Sequence, residues 1–211
     1  MKEFLPMFPL SLVVFPGERL RLHVFEARYK QLLRECIQDG STFGIPVVIE
    51  QSVASIATEV RLASVQRSYP GGEADIIVEG LQRVEISEFH RVSRGKLYPG
   101  GEISWLSNYD DPESDVQESV IELLENFYQI LGMNRHIDSS VANLRAYQIG
   151  HKAGLNLQQE YELLTFDRER DRLRFLRDHL RRIMPVVEEA ERLKIRAKLN
   201  GHFKNVVPPL Y

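Results

Sequence analysis

The 211 residues (24.4 kDa) are 43% hydrophobic and 27% charged, a globular proportion that excludes a disordered or collagen-like chain. One cysteine, Cys36, excludes an internal disulfide framework and a multi-cysteine metal site. No apolar run is long enough to span a membrane, so the sequence reads as a soluble protein of a reducing compartment, expected in the cytoplasm. The net charge of −3 is unevenly spread: Arg168 to Lys204 carries +6 and the remainder −9.

Up to about residue 107 the chain consists of short β-branched and aromatic runs punctuated by Gly and Pro. Strands are expected near 11–15, 19–24, 43–50, 58–69, 74–79, 82–90 and 96–106. Thr58 to Val65 and Arg83 to Phe89 alternate polar and apolar residues and predict half-buried strands. Pro70-Gly71-Gly72 predicts a hairpin turn, Gly80 a second turn, and Gly100-Gly101 a third. One helix is expected at 26–38, where Tyr29, Leu32, Leu33, Cys36 and Ile37 form an apolar stripe that ends at Gly40. Cys36 on that stripe reads as a small buried hydrophobe.

After residue 107 the spacing becomes helical. Asp111-Pro112-Glu113 opens a helix carrying Val116, Val120, Leu123, Leu124, Phe127, Ile130 and Leu131. A second helix is expected at 139–152, a short third after Asn156 and a fourth after Asp167, with Pro185 kinking or ending it. The predicted architecture is α+β: a barrel subdomain of six or seven strands and one helix (1–107), then a helical bundle (108–211).

No phosphate-cradling loop is present, and no histidine pair has the spacing of a zinc helix. Asp110, Asp111, Glu113 and Asp115 have the chemistry for a hard cation, but at a helix start they read first as partners of the helix dipole. No cofactor and no small-molecule substrate is expected. The candidate contact residues are therefore aromatic: Tyr69 and Pro70 at the hairpin tip, and Tyr98 and Trp105 flanking another turn, with closure of the barrel ends as the alternative role. Arg168, Arg172, Arg181 and Arg182 are the candidate basic surface, set against a solvated helix face.

Three stretches carry a family resemblance: Phe4-Leu5-Pro6-Met7-Phe8-Pro9-Leu10, Val13-Val14-Phe15-Pro16-Gly17-Glu18 and Leu22-His23-Val24-Phe25-Glu26-Ala27-Arg28-Tyr29. Together with Phe43-Gly44-Ile45 and Val78-Glu79-Gly80-Leu81-Gln82-Arg83-Val84, they resemble the N-terminal domain of Lon proteases in order and spacing. The resemblance implies a PUA-like pseudo-barrel followed by helices, and a role in recognising unfolded or damaged protein, alone or as an adaptor to a protease. It brings no catalytic residue: the ATPase phosphate loop and the Ser-Lys protease segment of full-length Lon are absent, so the chain is expected not to be an enzyme. The alternative expectation is nucleic-acid binding, motivated by the PUA-like barrel and the basic C-terminal stretch.

Overall fold

Two long β-branched segments with partial polar–apolar alternation form the centre of the fold, because a period near two suits an extended chain with one face covered. In the structure, a computed structural model describing residues 3–133 and 144–202, these segments are β4 (Ser52–Ser68) and β5 (Ala74–His90). They pair antiparallel around the Pro70-Gly71-Gly72 turn, where Gly72 adopts φ 81°. Around them lie β1 (Glu3–Pro6), β2 (Arg19–Val24), β3 (Phe43–Ile49) and β6 (Gly100–Trp105), in the order β1-β6-β5-β4-β3, with β2 paired to β5. The chain just after β1 closes the barrel through parallel bridges from Met7 to Gly44 and from Leu10 to Val47.

The strand layout departs from expectation at five places. β1 stands where no strand is expected. Residues 11–15 form no strand, although they alternate: Val13 and Phe15 enter the helical core, Val14 enters the core under α1, and the Thr58 hydroxyl takes the Val14 carbonyl at 2.5 Å. β4 begins six residues earlier than expected because Glu50 and Gln51, at φ 48° and 67°, make a two-residue hairpin turn without glycine. Gly80 is no turn but lies within a continuous β5, where a Cβ would stand 2.3 Å from the Phe15 carbonyl. Gly100 and Gly101 likewise belong to β6, held close to Phe4 and to the Glu88 carbonyl.

Helix α1 (Ala27–Asp39) ends at Gly40 in the left-handed conformation and buries Tyr29, Leu32, Leu33 and Cys36 against β2 and β5. The second half contains α2 (Ser114–Ile130), α3 (Ala146–Ile149) continued by a 3₁₀ turn (Gly150–Lys152), α4 (Leu157–Thr165) and α5 (Glu169–His202). Of the helix expected over 139–152, residues 139–143 lie outside the described ones; within the described part helix begins at Ala146. Asn156 caps α4 through a reciprocal pair with Gln159. α5 runs through Pro185, whose ring lies on the exposed side, where water can serve the carbonyl left unbonded at Arg181. Leu173, Leu176 and Leu180 of α5 join Val116, Val120 and Leu124 of α2 in one core.

Two buried arginines join sheet to helices. Arg83 of β5, 1% exposed, donates from Nη1 to the carbonyls of Leu164 and Thr165 at 3.0 and 3.1 Å, the last of α4. Its Nη2 reaches the Ser107 carbonyl and Asp167 Oδ1, the latter at 2.8 Å. Arg172 of α5 donates to the carbonyls of Phe166 and Asp167 and to Glu169 at 2.9 Å, lying over the Tyr147 ring. Each therefore serves carbonyls at the end of α4 or in the turn that follows it. Replacing Arg83 by Leu takes the guanidinium donors from three carbonyls, of which that of Leu164 is buried while those of Thr165 and Ser107 are partly open to water; the expected loss is about 1 to 3 kcal/mol of unfolding free energy, measurable by urea denaturation.

Candidate functional site

Two places on the molecule combine concavity or exposure with chemistry. The first is a cleft of about 600 Å³ where the Pro16–Glu18 segment, the loop at Asn108 and Asp110, α3 and the first turn of α5 meet. Beside the apolar surface of Pro16 and Tyr147, its arginines and carboxylates pair off. Arg145 grips Asp110 at 2.5 and 3.0 Å, and Arg172 grips Glu169. Glu169 also accepts the Ala146 N–H at 2.6 Å; burial pushes its carboxyl up against the pull of these donors.

At one end of this cleft His151 stands between two carboxylates, Nε2 at 3.1 Å from Glu18 and Nδ1 at 2.7 Å from Glu160. Both nitrogens can donate only in the cation, so Glu18, and after burial's opposing effect Glu160, push its pKa up to about 9. Such a residue is a clamp between the N-terminal segment and α4, not a base poised near neutrality. Among the described residues no group of three His, Cys, Asp or Glu side chains is arranged to hold a metal ion.

The second place is the tip of the β4–β5 hairpin beside the end of β2. His23 Nδ1 lies 2.6 Å from Asp75, and the Tyr69 hydroxyl donates to the other oxygen of that carboxylate at 2.8 Å. His23, then Tyr69, hold Asp75 below the usual carboxylate range. The His23 ring stacks on Phe25 at 5.9 Å and meets the edge of Tyr69 at 5.8 Å, while Arg67 lies over the Tyr69 ring. Phe25 is 61% exposed, a large apolar ring presented to solvent on a hydrogen-bonded platform. This arrangement has contact area and charge, and no activated nucleophile.

The aromatic residues singled out from the sequence separate. Tyr69 and Pro70 sit at this tip. Trp105 lies at the end of β6, exposed, donating to Glu3 at 3.2 Å. Tyr98 is 3% exposed, its hydroxyl bound to Glu35 of α1, and offers a partner no face. Of the basic residues, Arg168 is exposed but paired with Asp111 at 2.8 Å, and Arg172 is buried, which corrects its assignment to a basic surface. Arg181 and Arg182 are exposed, Arg181 3.4 Å from the Ser119 hydroxyl. The acidic residues 110, 111 and 113 pair with Arg145, Arg168 and Arg174, while Glu113 and Asp115 also stand at the N-cap and first turn of α2. Sequence reasoning did not single out His23 and Phe25 as contact residues; the signal was an apolar aromatic placed directly after a strand whose polar face is Arg19, Arg21 and His23.

Comparison with known proteins gives a consistent result. The family model for the ATP-dependent protease La (LON) substrate-binding domain matches residues 4–182. A curated Lon protease of Brevibacillus choshinensis is 24% identical over 215 residues, covering 93% of this chain and 27% of that protein; the chain thus spans about a quarter of this relative's length. The crystal structure of a Lon N-terminal domain protein from Xanthomonas campestris aligns with TM-score 0.62 and 28% identity, over 82% of this chain and 96% of that one. The N-terminal domain of Mycobacterium avium complex Lon protease aligns with TM-score 0.65 and 17% identity, over 84% and 98%, a likeness of fold.

The His151 clamp has a pH signature. Its folded pKa of about 9 lies above the ordinary value near 6.5, so its contribution is fully present below about pH 6.5 and is lost as pH rises through 9. The urea midpoint is expected to fall between those limits, and to fall less in His151→Gln.

Proposed function

The chain belongs to the ATP-dependent protease La (LON) substrate-binding domain family, and on that premise we propose that it holds unfolded or apolar polypeptide, as a recognition module or an adaptor that delivers it to a protease. The observation that carries this reading is the exposed ring of Phe25, supported by His23 and Tyr69 at the hairpin tip. An aromatic ring offers large apolar area with few rotamers to lose. Covering it contributes on the order of 2 to 3 kcal/mol, offset by the ordering of the bound segment. Binding is accordingly weak and tolerant of sequence.

This reading assigns the chain no bond-making step of its own. Among the described residues no helix is long and apolar enough to cross a membrane. The nucleic-acid alternative loses part of its motive, because several cations of the basic stretch pair with carboxylates: Arg168 with Asp111, Arg174 with Glu113, Arg177 with Asp178 and Lys194 with Glu191, while Arg181 and Arg182 stay exposed.

Titration with a reduced, alkylated model protein and with its native form tests the reading. The unfolded form should bind and the native form should not, and Phe25→Ser should weaken binding by about tenfold with no change in the unfolding midpoint. Equal binding of both forms, or of neither, removes it.

A further inference from the structure

Beyond the barrel closure, β2, the first half of β5 and the second half of β4 form a three-stranded extension. Its register places the outward side chains in rows: Arg19–Glu79–Arg61, Arg21–Ile77–Ser64 and His23–Asp75–Arg67. One carboxylate, Glu79, serves two guanidiniums, at 3.7 Å from Arg19 and 3.0 Å from Arg61. Arg21 stands opposite Ile77 and forms no ion pair among the described residues, so the face keeps a cationic excess. On the other face Leu20 and Leu22 are half-buried over the core beneath α1.

The two free edges of this extension differ. The second half of β4 is interrupted by register shifts between Leu62 and Ser64 and between Val65 and Arg67, irregularities that blunt an edge. Among the described residues β2 pairs with β5 alone, and it keeps an unbroken register from Arg19 to Val24. A regular edge presents backbone donors and acceptors at strand spacing, which another extended chain can match.

We propose that the edge of β2 takes up one extended polypeptide segment in which acidic and apolar residues alternate, adding it to the sheet as a further strand. The inference rests on the polypeptide-binding reading and names the class of segment it selects. Alternate residues of a strand recur every ~6.8 Å on one face, the repeat at which Arg19, Arg21 and His23 are set. Acidic side chains of the incoming strand then fall beside those residues, and its apolar side chains beside Leu20 and Leu22. A second copy of β2 is disfavoured, since it sets arginines against arginines. A nucleic-acid strand lacks the amide groups that would complete the edge.

Fluorescence anisotropy with three labelled octapeptides provides the test: Val and Asp alternating, the same residues in two blocks, and Val and Lys alternating. The alternating acidic peptide should bind about tenfold tighter than either control. Arg21→Glu, on the exposed face, should abolish that preference with the unfolding midpoint unchanged, and the bound peptide should slow amide exchange within residues 19–23. Equal affinities, unaltered exchange at β2, or tighter binding of a thymidine octanucleotide than of the acidic peptide overturns the inference. If these occur while unfolded protein still binds and Phe25→Ser still weakens it, the inference alone fails; if unfolded protein does not bind, the polypeptide-binding reading fails with it.

Discussion

The burial of one guanidinium decides how this molecule is assembled. Arg83 leaves the sheet at β5 and directs its two Nη groups to the end of α4, to the Ser107 carbonyl and to Asp167. A charge with 1% exposure is tolerable only where such acceptors converge, so the loop at 107, the end of α4 and the turn into α5 must all reach the same point. Arg172 repeats the device from the other side, drawing the Phe166–Asp167 turn onto the first turn of α5. Sheet and helices are held together by polar directionality as well as by the shared apolar core of Phe15, Val47, Val120 and Leu173.

This joint consumes the polar groups that otherwise look most like an active site. The cleft beside it is the larger of the two candidate places, yet its arginines, carboxylates and His151 are tied to one another. The hairpin tip is the opposite case. Its hydrogen bonds run among His23, Asp75 and Tyr69 and leave the apolar ring of Phe25 uncovered. In the reading proposed above, the first place keeps the molecule in one piece and the second meets other chains.

Local chemistry was legible in the sequence where it acts over a few residues. The Pro70-Gly71-Gly72 turn, the stop at Gly40 and the cap at Asn156 all act within such a distance, and each has the structural effect its residues imply. Thr58–Val65 forms the expected strand but not the expected faces: Thr58 and Glu59 are buried, Val65 is exposed, and register shifts interrupt the stretch. Long-range pairing was not legible. Arg83 alternates like a solvent-facing residue and is buried only because α4 ends above it. Gly80 looks like a turn and is required by the passage of Phe15 against β5. Tyr98 beside Pro99 looks like an exposed tip and is buried because Glu35 of α1 receives its hydroxyl. The acidic run at 110–115 carries no mark of the arginines some 35 to 60 residues later that hold it. Of the candidate surface, Tyr69 and Pro70 were visible because a turn announces itself, whereas His23 and Phe25 come to them only through the β2–β5 register.

The central claim is that polypeptide meets the molecule at the hairpin tip and the β2 edge and not at the ionic cleft. Mapping amide chemical shifts of isotope-labelled protein during titration with a reduced, alkylated model protein tests it most directly. Shifts should concentrate in residues 19–25 and 67–75. Shifts concentrated instead around Arg145 to Lys152 or at Trp105 would contradict it.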